Sequence, residues 1–177
     1  MVFNIIEIGR VPVYYDNNKD FSTVTYLKPS SDKLRGLHLP DCDSIEAFEH
    51  YRINTPNGFN RIKELISAEC AFDDISFSIF SILHELGHWL QYICFISKGN
   101  DDIQFIENYE SKRIYLLQQR KNEYETCKSP EDIAKIEEKY EKLYAELPTE
   151  KYANTFAIKH LLECVTKIKF DNSSDVC

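Results

Sequence analysis

The stretch DDISFSIFSILHELGHWLQYICFIS, residues 73–97, decides how the rest of the chain is read. Asp73 and Asp74 at its start suit the positive end of a helix, and the residues that follow are apolar on nearly every face until Ser97-Lys98-Gly99-Asn100 ends the run. The pattern predicts a buried central helix over 73–98. Inside it lies His84-Glu85-Leu86-Gly87-His88, an H-E-x-x-H sequence. Residues four apart share a helical face, so both imidazoles can reach one metal ion while Glu85 approaches a water held by it. A zinc ion (Zn2+) lowers the pKa of such a water from 15.7 toward roughly 7, and a carboxylate beside it can act as general base in attack on a carbonyl. This reading makes His84 and His88 metal ligands and Glu85 the catalytic residue.

A catalytic zinc takes three protein ligands and leaves one position open. One version of the motif supplies the third as a histidine six residues past the second, after a glycine at three, but those places here hold Cys94 and Gln91. The candidates that remain are a carboxylate or His160 further along the chain. Glu150 is preferred, because the helix it opens also offers Ala153 and Ala157, small residues that allow close approach to Gly87. Asn154, one turn on, is placed to accept a hydrogen bond from the other nitrogen of a ligating histidine. Glu146 is the substitute, although it precedes Pro148 and reads as the end of the preceding helix.

Working outward, residues 1–72 read as β-rich. IIEIG, VPVYYDNN, STVTYLKPSSD and RGLHLPD are short β-type runs broken by Gly, Pro, Asn and Asp, and they predict a small antiparallel sheet. RIKELIS, at 61–67, fits either a strand or a helical turn, and its place before the next element favours a strand. Residues 101–146 predict an inserted helical hairpin: Ile133, Ile136, Tyr140, Leu143 and Leu147 follow helical spacing, and Ser129-Pro130 offers an N-cap and a first helical position. Thr149 is expected to cap a final helix over 149–170, and the tail DNSSDVC to fray. The fold class is α+β, one domain over 1–177 built as a minimal zincin-like unit: sheet, active-site helix, hairpin and ligand helix.

HELGH followed downstream by Glu150-Lys-Tyr-Ala153-Asn154-Thr-Phe156-Ala157 resembles the ImmA/IrrE family of zinc metallopeptidases, whose second motif reads E-x-x-A-N-x-F-A. Leu161-Leu162 also falls where that family tends to carry a Leu-Leu pair. The resemblance spans about residues 75–162 and implies His84, His88 and Glu150 as ligands and Glu85 as catalyst. Members are often encoded on phages and mobile elements and cleave repressors or other regulators, which implies a regulatory protease. The hairpin between the two motifs is long for the family.

Composition limits the alternatives. A formal net charge of −8 over 177 residues opposes binding to a phosphate backbone, so nucleic acid is not an expected partner. No run approaches the roughly 20 apolar residues of a membrane span, Glu7 and Arg10 interrupt any leader-like stretch, and a cytoplasmic protein with a protein or peptide substrate is expected. The six cysteines are dispersed without a C-x-x-C pair and read as thiols. His38, His50, Tyr14, Tyr15 and Tyr152 read as packing or turn residues rather than oxyanion donors. The competing function is a binding module acting through the hairpin, with zinc in a structural role.

Overall fold

A computed structural model describes residues 11–16, 23–27, 34–127 and 129–174, with side chains as far as residue 169. The IIEIG run expected as a strand lies outside them. The chain is α+β and mostly helical, and it divides into two compact units: Met1–Leu90 with Ala153–Cys177, and Gln91–Tyr152.

Among the described residues the first unit contains three short strands, β1 (Val13–Asp16), β2 (Val24–Tyr26) and β3 (Gly36–Pro40), in the order β1-β3-β2. The expected antiparallel sheet is corrected here: β2 is antiparallel to β3, but β1 runs parallel to it. Alternating side chains mark a strand's faces and say nothing of its partner's direction, so the run pattern was blind to this. His38 is a core group of the sheet, only 4% exposed. Its Nδ1 lies 3.0 Å from the Asp16 carboxylate, its Nε2 lies 2.8 Å from the Leu34 carbonyl oxygen, and the rings of Tyr14 and Tyr26 pack on it.

The β-rich reading of 1–72 fails after residue 43. Two helices follow, α1 (Ser44–Asn54) and α2 (Pro56–Ser67). Asp43 caps α1 by accepting the Glu46 N–H at 2.8 Å, and Pro56 opens α2 with its φ already set for a helix. RIKELIS therefore lies within α2 and is not a strand; Phe59 and Ile66, both buried, and the partly buried Ile62 follow the three-and-four helical spacing that outweighs its β-branched content.

The predicted central helix is α3 (Asp74–Ile96). Its apolar face meets α2 and the last helix, α7 (Pro148–Ser174), in a core of Phe59, Ile66, Phe77, Phe80, Leu83 and Leu161. Thr149 is not the cap of α7, since the helix has already begun at Pro148, and the helix continues to Ser174, into the stretch expected to fray. No helix among the described residues is long and apolar enough to cross a membrane.

In the second unit α4 (Asp102–Phe105) leads through a π-helical segment, Ile106–Glu110, into α5 (Ser111–Thr126) and α6 (Pro130–Ala145). Ser129 caps α6 by accepting the Asp132 N–H at 3.1 Å, with Pro130 in the first turn, as its sequence predicts. Glu123 of α5 accepts from Lys139 and from the Tyr140 hydroxyl of α6, at 2.5 and 2.7 Å, which joins the two helices of the hairpin.

Asp73 ties both ends of the first unit's helical layer. Its Oδ1 accepts the Ser76 N–H at 2.8 Å, its own N–H donates to Ser76 Oγ at 2.9 Å, and its Oδ2 accepts from Lys169 of α7 at 2.8 Å. Burial pushes the Asp73 carboxyl up, but Lys169 and the Ser76 bonds more than offset it, so it titrates below its ordinary value. Asp73→Ala is expected to cost about 1 kcal/mol of stability at neutral pH. Because the folded carboxyl holds its proton less readily than the unfolded one, this stabilisation is complete above the unfolded pKa and is lost as pH falls through the folded one. Urea unfolding of both proteins should show a gap that narrows in acid; a gap that widens there contradicts the assignment.

Candidate metal centre

Helix α3 places His84 and His88 one turn apart on one face. Their Nε2 atoms are 3.1 Å apart, with ring centroids at 4.7 Å and planes nearly perpendicular at 85°. The other nitrogen of His84, Nδ1, lies 2.9 Å from the side-chain oxygen of Asn154 on α7. That oxygen can only accept, so Nδ1 carries the proton and the Nε2 lone pair of His84 is directed at His88. Two nitrogens bound to one tetrahedral ion at about 2.0–2.1 Å lie about 3.3 Å apart. The pair therefore has the separation of two ligands of one metal, and its donor set suits a cation or a shared proton.

Glu85 joins them. Ligand atoms of His84, Glu85 and His88 all lie within 4.8 Å of one another, and this is the group among the described residues able to hold a metal ion. The Glu85 carboxylate does not hang free: its Oε2 accepts the backbone N–H of Thr25 at 2.7 Å, and its main-chain carbonyl accepts the Thr25 hydroxyl at 2.9 Å. Thr25 was missed in the sequence, which marks it as a strand residue but carries no signal for a contact formed 60 positions away.

Asn154 reaches His84 because α7 crosses α3 at close range. Ala153 is fully buried, and a Cβ placed on Gly87 would lie 2.8 Å from the Ala153 Cα and 3.3 Å from its carbonyl oxygen. Glycine is thus a steric requirement of the crossing, and Ala153, one of the small residues picked out in the second motif, sits at it.

Glu150, expected as third ligand, is not a member of the three-residue group. It lies in the first turn of α7, one turn before Asn154, and is buried at 4% exposure. Within its own unit, burial draws the Arg113 guanidinium down, but Glu110, Tyr144 and Glu150 more than compensate and hold its pKa above the ordinary value. Of the groups read as packing residues, His38 is in the sheet core as described, Tyr15 is exposed, and burial raises the Tyr152 phenol.

Adding one methyl at Gly87 sets a gain in helix propensity of about 1 kcal/mol against a clash with main-chain atoms that cannot rotate away. Gly87→Ala is expected to be net destabilising by about 1–3 kcal/mol. Because the nearest atom is the Ala153 Cα, the double variant Gly87→Ala/Ala153→Gly should remain destabilised in urea unfolding; full recovery would show that only the Ala153 methyl was in the way.

No family model matches this chain, and no curated protein and no solved structure matches it either.

Proposed function

We propose that the chain is a zinc-dependent endopeptidase of zincin-like build that cleaves a specific regulatory protein in the cytoplasm, in the manner implied by its resemblance to the ImmA/IrrE family. The observation that carries this reading is the histidine pair, with Nε2 atoms 3.1 Å apart and Asn154 holding the proton on the far side of His84. A structural zinc site has four closed protein ligands and no need of a base, whereas here a carboxylate stands beside the pair. The ion is proposed to be zinc, because imidazole and carboxylate donors in a site of low coordination number suit it.

In this reading His84 and His88 bind through Nε2, and Asn154 fixes the tautomer and ring orientation that binding needs. Glu150 is the proposed third ligand, on the strength of the E-x-x-A-N-x-F-A motif that it opens. Zinc, when bound, lowers the pKa of a coordinated water toward about 7 and polarises a carbonyl. Glu85 takes the proton of the attacking water on its carboxylate and passes it to the departing amine nitrogen. The peptide bond is broken without any covalent link to the protein.

Purified protein is expected to bind about one zinc per chain. Glu85→Gln should retain the metal while peptide hydrolysis falls by about 10²–10⁴-fold; full activity in that variant overturns the mechanism. Asn154→Ala should weaken zinc binding by about 10–100-fold in a competitive chelator titration. Glu150→Gln should weaken it as well; unchanged affinity removes Glu150 from the ligand set and returns His160 and Glu146 to consideration.

A further inference from the structure

Resting on the peptidase reading, we infer that Thr25 is a positioning residue for Glu85, a two-point clamp through which strand β2 aims the carboxylate. The N–H of Thr25 donates to Glu85 Oε2 at 2.7 Å and its hydroxyl donates to the Glu85 main-chain carbonyl at 2.9 Å. One bond fixes where the carboxylate points and the other fixes where the residue's backbone sits relative to the strand. A glutamate side chain has three rotatable bonds, and an unclamped one distributes itself over several staggered rotamers. Tethering both ends of the residue selects one of them before substrate arrives.

The strand that carries the clamp is itself braced. Thr25 stands opposite Leu37 of the central strand, and its neighbour Val24 stands opposite His38. His38 is buried and held on both ring nitrogens, by the Asp16 carboxylate at 3.0 Å and the Leu34 carbonyl at 2.8 Å. Tyr26, on the other side of Thr25, meets the His38 ring edge-on at 4.7 Å. Val24 and Tyr26 thus both meet His38, and Thr25 between them gives both its N–H and its hydroxyl proton to Glu85.

The hydroxyl can be removed without disturbing the strand. Thr25→Val keeps the branched shape and strand preference and deletes one anchor; Thr25→Ser keeps the anchor. A Thr25 that only stabilised the fold would change the folded fraction and leave turnover of the folded protein alone.

The test uses the full chain, with an internally quenched peptide selected from a random library on the wild-type protein as the probe. Thr25→Val is expected to keep one zinc per chain and to lose about ten- to a hundredfold in kcat with KM within about twofold, and Thr25→Ser to stay near wild type. In the chain without added metal, amide exchange reads the contact independently of activity. The Thr25 amide should exchange about tenfold or more faster in Glu85→Ala and keep its protection in Glu85→Gln, whose amide oxygen still accepts. Undiminished kcat in Thr25→Val, or unchanged Thr25 exchange in Glu85→Ala, overturns the positioning role alone. Absence of zinc binding and of peptide cleavage by the wild-type protein overturns the peptidase reading and the positioning role with it.

Discussion

The candidate centre exists because one side chain is missing. Gly87 sits between the two histidines, and only hydrogen at that position lets the backbone of Ala153 come as close as it does. From this crossing follows the reach of Asn154 to His84, and from that bond follows which ring nitrogen keeps its proton. A larger residue would move α7 outward and leave the His84 ring to choose its own tautomer and orientation. The steric fact at Gly87 is therefore also an electronic fact at His84, since a metal needs the lone pair on Nε2.

The second support comes from the sheet, which has three short strands among the described residues. The sheet presents Thr25 to Glu85, while Phe59 and Ile66 of α2 and Leu161 of α7 share a core with Phe77 and Phe80 of α3. Helix α3 is thus fixed on one side by apolar packing and at Glu85 by two hydrogen bonds from a strand. The arrangement separates two contacts: α7 meets His84 through Asn154, and β2 meets the Glu85 carboxylate through Thr25.

What could be read from the sequence follows the strength of each local signal. Residues 73–97 were legible because acidic residues open an apolar run long enough for a buried helix, and Ser129-Pro130 was legible because cap and first-turn chemistry are local. Helix α1 was not, since none of its residues is fully buried and its contact with the core rests on Phe48 and Tyr51. Helix α2 carries the period in Phe59, Ile62 and Ile66, but Pro56 and Gly58 in its first turn resemble a loop. The parallel pairing of β1 with β3 and the contact of Thr25 with Glu85 depend on which distant segments meet, which composition and spacing do not record. The closeness of His84, Glu85 and His88 was legible because positions i, i+1 and i+4 lie within one helical turn, whereas the reach of Asn154 to His84 was suggested by the second motif and not by spacing along one helix.

The measurement that bears most directly on this account is anomalous scattering at the zinc edge from crystals of the zinc-loaded chain. The account predicts a single strong peak bridging Nε2 of His84 and Nε2 of His88, with the carboxylate of Glu150 as the third protein donor. Absence of a peak between the imidazoles, or an ion bound elsewhere with His84 and His88 sharing only a proton, would contradict it.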